Sequence, residues 1–139
     1  MIDEKIILQV LAEQQEEIKS YRPEKWVPRR EESLFEFETN MAQVVIGVRR
    51  SGKSTLCHKV LLERGIRYGY VNLDDDRLAN MQVEDLNTVL SCVYQLYGTD
   101  IPYLVLDEIQ DVDGWYLFVN RLMRTSLHIF VTGSLGSWP

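Results

Sequence analysis

Cysteine is scarce: two residues in 139, Cys57 and Cys92, with none of the spacing that builds a metal cluster or a disulfide framework. Nothing demands that they pair, and the expectation is free, buried thiols in a reducing compartment. Histidine is as scarce. His58 and His128 stand far apart inside apolar patterns, so neither a zinc site nor a Ser-His-Asp arrangement is indicated. No apolar run approaches the roughly 18 residues of a membrane span, and Met1-Ile2-Asp3-Glu4-Lys5 lacks the layout of a secretory signal. A cytoplasmic location with no membrane partner follows as the expectation. Positive charge is in deficit, 15 Lys and Arg against 21 Asp and Glu for a net charge of -6. That excludes a generally basic nucleic-acid surface and leaves room only for a local patch. Internal repeats and low-complexity stretches are missing.

What is present suits one globular domain, with 45% hydrophobic and 26% charged residues. Its organisation divides near residue 40. Residues 1–40 carry 6 basic and 10 acidic residues and read as a helical lead-in packed on the core. In it, Ile7, Leu8, Leu11 and Ile18 predict a helix from about Asp3 to Ser20. Pro23 and Pro28 interrupt the pattern around Trp26, and a short helix is expected over Arg29 to Phe37. Residues 41–139 read differently. Val44-Val45-Ile46, Tyr68-Gly69-Tyr70-Val71, Tyr103-Leu104-Val105-Leu106 and His128-Ile129-Phe130-Val131 are short apolar runs that predict strands, the first buried on both faces. Helical spacing fills the gaps over Ser54–Arg64, Val83–Tyr97 and Trp115–Arg124. Alternation of this kind predicts an α/β fold in which helices cover both faces of a mostly parallel sheet. The chain stops at Trp138-Pro139, directly after the fourth predicted strand, which reads as a truncated gene product or a fragment of a longer protein, with a short native tail as the alternative.

The most specific words lie at strand ends. Gly47-Val48-Arg49-Arg50-Ser51-Gly52-Lys53-Ser54-Thr55 matches GxxxxGK[ST] between a predicted strand and a predicted helix. Glycines permit the tight turn that aims backbone amides at phosphate oxygens, and the helix start adds unpaired N–H groups. Lys53 is expected to reach the β- and γ-phosphates and Ser54 to ligate Mg²⁺, with Thr55 near the α-phosphate. Arg49 and Arg50 either shape anion binding or pair with nearby acids. A second word, Asp107-Glu108, ends the third strand. In a parallel sheet that end lies on the same edge as the Gly47 loop, so Asp107 is expected to hold Mg²⁺ through water and Glu108 to orient or deprotonate attacking water. After the fourth strand, Thr132 and Ser134 are candidate sensors of the γ-phosphate, or else a packing residue and a loop cap. Asp74, in the acidic turn after the second strand, and Gln110 are weaker candidates. Trp26, Trp115 and Trp138 are expected to pack rather than stack on bases.

Together with Leu104-Val105-Leu106-Asp107-Glu108-Ile109-Gln110, the following Trp115, Val131-Thr132-Gly133-Ser134 and the lead-in Pro28-Arg29-Arg30, the phosphate loop resembles the AAA-type ATP-binding domain of a prokaryotic ATPase family that carries an additional C-terminal domain. The resemblance spans residues 20–135. It implies a Walker A at Gly47–Thr55, a Walker B at Leu104–Glu108, a sensor around Thr132 or Ser134, and a P-loop three-layer sandwich of strand order 5-1-4-3-2. It further implies a C-terminal domain missing here and a homo-oligomer in which a neighbouring subunit supplies an arginine. ATP and Mg²⁺ are the expected cofactors. The expected activity is ATP hydrolysis in the intact protein, coupled to a conformational output. The competing readings are a nucleotide-gated interaction or nucleic-acid adaptor with little hydrolysis and, behind it, a small-molecule kinase. No NKxD element supports guanine specificity.

Overall fold

The computed structural model describes residues 1–37, 39, 41–47 and 52–134. Helix α1 spans Glu4–Ile18 and strand β1 Gln43–Gly47. There follow α2 (Lys53–Glu63), β2 (Tyr68–Asn72), α3 (Asp85–Tyr97), β3 (Tyr103–Asp107), α4 (Trp115–Leu122) and β4 (His128–Ser134). Short 3₁₀ turns cover Pro23–Lys25 and Arg30–Leu34 in the lead-in. The helix expected over Arg29–Phe37 is thus a 3₁₀ turn.

All four strands pair in parallel, in the order β1-β4-β3-β2. This is the 1-4-3-2 part of the expected order, and it inserts β4 between the two strands that carry the phosphate loop and the acidic pair. Strand alternation divides the core between two faces. Leu104, Leu106, Ile129 and Val131 point into the cluster built with α1, α3 and α4. Tyr103, Val105 and Phe130 point into the one built with α2 and partly buried Phe35 and Phe37. β3 is buried throughout, as a strand covered on both faces should be.

β1 departs from expectation. Val44 and Ile46 are 49% and 46% exposed, so the strand is not buried on both faces. It lies at the sheet edge, where Val45 packs toward the α2 cluster and its two neighbours face outward. β2, at the opposite edge, is protected by the lead-in. The Gln14 side-chain amide accepts from Asn72 N–H (3.0 Å) and donates to Asn72 C=O (3.1 Å), satisfying backbone groups that an edge strand leaves open. Buried Asp85 ties the two helix starts together, accepting from Ile2 N–H at 3.2 Å and Gln82 N–H at 2.9 Å. Gly69 is required by contact: a Cβ there would sit 2.7 Å from Val93 Cγ1, inside the α3 packing.

Both cysteines are free and buried, and burial pushes the Cys57 thiol well above its ordinary range. Trp26 rests edge-on against Tyr21, and Trp115 packs on the larger cluster; Trp138 lies outside the described residues.

His58, on α2, is nearly inaccessible. Its Nδ1 lies 2.7 Å from the Tyr68 hydroxyl, its Nε2 has no hydrogen-bond partner, and the Tyr21 and Tyr70 rings close around it. Burial pushes the imidazole down from 6.5 to about 4. Unfolded chains therefore take up this proton first as the pH falls. The stabilisation from neutral His58 is complete above pH 6.5 and is lost toward about pH 4. Urea unfolding should show wild-type stability falling faster across that window than that of His58→Phe, by up to about 3 kcal/mol.

Candidate nucleotide site

Where β1 leaves off and α2 begins, the chain needs a residue free of a side chain. Gly52 caps α2 at φ +85°, and a Cβ on it would approach Arg29 Nη1 to 2.9 Å. The Arg29 guanidinium donates to the Gly52 carbonyl at 3.0 Å, and Leu56 N–H donates to the same oxygen at 2.9 Å. A second staple lies one turn further on, where Lys59 pairs with Glu32 of the lead-in at 3.1 Å and with Glu63 at 2.7 Å. The lead-in thus braces the helix start that follows the loop. Gly47, Gly52, Lys53, Ser54 and Thr55 lie among the described residues; Val48, Arg49, Arg50 and Ser51 lie outside them.

Lys53 and Glu108 meet at 2.6 Å with both side chains at or below 10% exposure. The Glu108 carboxylate also accepts from Gln110 Nε2 at 2.7 Å and from the Ser134 hydroxyl at 3.0 Å. Burial alone would raise its pKa. The ammonium, amide and hydroxyl around it prevail and hold it below the usual carboxylate range. Reaching these partners requires a turn immediately after β3: Glu108 takes a left-handed conformation, φ +59° and ψ +48°. For a residue with a side chain this costs about 1–3 kcal/mol, which the surrounding contacts must supply.

Asp107 is 3% exposed and held from both sides. The Tyr70 hydroxyl donates to Oδ2 at 2.5 Å, and the Thr132 hydroxyl donates to Oδ1. Thr132 Oγ1 also accepts the Glu108 backbone N–H at 3.0 Å. Burial, then the Asp107 charge, keeps the Tyr70 phenol far above its ordinary pKa, so it remains a donor. The Ser54 hydroxyl lies 3.3 Å from the same Tyr70 oxygen.

A cavity of about 530 Å³ opens over these groups, lined by Lys53, Ser54, Thr55, Tyr70, Asp107 and Glu108, and flanked by Gln14, Glu17 and Tyr21 from the lead-in, with Asp74. Lys53, Ser54, Asp107 and Glu108 are brought together around this one cavity. Thr132 and Ser134 are not in a loop after the fourth strand; they belong to β4, paired beside Val45 and Gly47 of β1. Strand pairing continues because β4 is central and β1 lies along it. Tyr70, Gln14, Glu17 and Tyr21 are not singled out by the sequence, since no motif marks them. The one signal for Tyr70 is its place on β2, which the 5-1-4-3-2 order sets beside β3.

A glycine-capped helix start facing an acidic strand end across a parallel sheet is the arrangement of an α/β nucleotide-binding domain of the P-loop class. Residues 39–137 match the AAA domain family, and the chain belongs to it. A 96-residue stretch is 36% identical to an uncharacterized protein of Methanocaldococcus jannaschii, covering 68% of this chain and 21% of that protein. Among solved structures, a DNA replication initiation factor is similar at TM-score 0.52 and 21% identity, over 84% of this chain and 42% of that one. AMPPCP-bound DnaA from Aquifex aeolicus is similar at TM-score 0.51 and 19% identity, over 86% and 45%. At these identities the two structures speak for the fold. The chain spans about a fifth of the Methanocaldococcus protein and less than half of either solved chain.

Thr132 is fully buried and bridges two groups of the acidic turn, so its hydroxyl has a structural duty that Ser134 does not share. Thr132→Val should cost about 1–3 kcal/mol in urea unfolding, since an Asp107 oxygen and a Glu108 N–H lose their partner. Ser134→Ala should cost clearly less, because Glu108 keeps Lys53 and Gln110.

Proposed function

We propose that this domain binds Mg·ATP and, in the protein to which it belongs, hydrolyses it. The observation that carries the reading is the burial of Lys53 against Glu108 beside Asp107, in a cavity roomy enough for a ligand and at the start of a glycine-capped helix. A lysine ammonium at 6% exposure is costly unless an anion meets it. Here a carboxylate fills that role until a phosphate takes it.

The donor set suits magnesium. Ser54 Oγ and Asp107 Oδ2 are hard oxygens flanking one hydroxyl position, and Mg²⁺ asks for only one or two protein oxygens besides phosphate and water. Among the described residues there is no cluster of three or more His, Cys, Asp or Glu that would hold a metal by itself, which suits an ion brought in with a nucleotide. Ser54 would hold it directly and Asp107 through water. When bound, the ion supplies charge neutralisation for the β- and γ-phosphate oxygens.

The chain's own residues do the rest. Lys53 and the unpaired amides of the first turn of α2 bind phosphate oxygens. When Lys53 turns to phosphate, Glu108 loses its strongest partner and is free to hold the attacking water and accept its proton. Gln110 and Ser134 keep that carboxylate aimed. Thr132 fixes the turn that presents it.

The deciding experiment compares nucleotide binding and phosphate release by the full-length protein as wild type, Glu108→Gln and Lys53→Ala. Glu108→Gln should retain Mg·ATP binding while release falls at least about 100-fold, the usual scale for a lost general base. Lys53→Ala should lose binding itself. Release by Glu108→Gln at the wild-type rate would reject Glu108 as the base.

A further inference from the structure

Tyr70 has no place in the scheme above, yet it stands between two of its members. Its hydroxyl oxygen lies 2.5 Å from Asp107 Oδ2 and 3.3 Å from Ser54 Oγ, in a residue only 6% exposed at the cavity wall. Those two distances have a chemical meaning. In an octahedral magnesium shell with oxygens at about 2.1 Å, neighbouring ligands lie about 3 Å apart. A bound water that donates to a carboxylate does so at about 2.5–2.7 Å. The Tyr70 oxygen relates to Ser54 as one shell ligand to the next, and to Asp107 as a metal-bound water does.

We propose that the Tyr70 hydroxyl occupies the seat of a magnesium-bound water, keeping Ser54 and Asp107 assembled in the metal-free domain, and that it has to leave this seat for the metal to load. The inference rests on the assignment of Ser54 and Asp107 to magnesium. Tyr70 is then a positioning residue that competes with the ion. Its ring is ill suited to follow a metal as a ligand: it is wedged against the His58 ring at 4.4 Å and belongs to the cluster under α2. A phenol is also a weak partner for Mg²⁺ beside water and carboxylate. Leaving the seat takes a swing of the whole side chain away from the His58 ring and into the cavity that it lines, which is why the seated hydroxyl delays loading. While seated, the phenol gives buried Asp107 its second hydrogen bond, the first coming from Thr132. The domain without metal is therefore stabilised by the same contact that delays loading.

The test measures the affinity of fluorescent mant-ATP for wild type, Tyr70→Phe and Tyr70→Met as free Mg²⁺ is raised from an EDTA-buffered baseline, together with thermal midpoints without metal. Methionine fills the space differently and covers the case in which phenylalanine does not fold. The expected result is a half-maximal Mg²⁺ concentration about fivefold lower in the folded variant, matching one lost competing hydrogen bond, and a lower metal-free midpoint. A half-point unchanged or raised would overturn the role of Tyr70 while leaving the magnesium assignment intact. If wild type binds mant-ATP with no dependence on Mg²⁺, the assignment of Ser54 and Asp107 falls, and the proposal with it.

Discussion

A buried lysine and a buried glutamate, 2.6 Å apart, set the terms for the whole site. Neither charge tolerates this degree of burial alone, so each dictates the position of the other. The lysine is placed by a helix that starts on a glycine, the glutamate by a left-handed turn off β3. Pairing them obliges the two elements to end side by side. It also leaves the resting domain electrically closed. On the proposed reading, a triphosphate has to win the lysine from a carboxylate, and winning it frees the group proposed to handle water.

The sheet order makes that meeting feasible. With β4 inserted between β1 and β3, its hydroxyls face the acidic turn from the side: Thr132 fixes Asp107 and the backbone of Glu108, while Ser134 touches the Glu108 carboxylate. The lead-in contributes more than cover. Gln14 completes the edge of β2 and, with Glu17 and Tyr21, walls the cavity; Arg29 grips the carbonyl at the α2 start. Residues far from the phosphate loop in sequence thus decide how closed the site is.

Much of this arrangement is legible in the amino-acid sequence. The four apolar runs correspond to the four strands, because burial within a sheet covered by helices leaves a compact apolar signature. The loop motif and the Asp107-Glu108 pair are readable because each is a contiguous run, one ahead of a helix start and one at a strand end. What the sequence conceals depends on distant partners. The apolar run at Val44 and Ile46 does not announce that both are half exposed; they are so where β1 is the edge of the four described strands, on the side where the expected order places a fifth. The apolar run ends at Val131, which puts Thr132 and Ser134 beyond the strand on sequence grounds; pairing with β1 carries β4 on through Ser134. Tyr70 resembles an ordinary aromatic of a buried strand until β2 and β3 are placed in register, with Asn72 opposite Asp107.

The most direct test of the central claim, that this cavity reads a phosphate chain, is the affinity series ATP, ADP, AMP and adenosine measured by titration calorimetry on the wild-type protein with Mg²⁺. If Lys53 and the α2 amides hold the β- and γ-phosphates, affinity should collapse when the β-phosphate is removed, leaving AMP and adenosine weak or silent. Equal affinity for adenosine and ATP, or no binding by any member of the series, would contradict it.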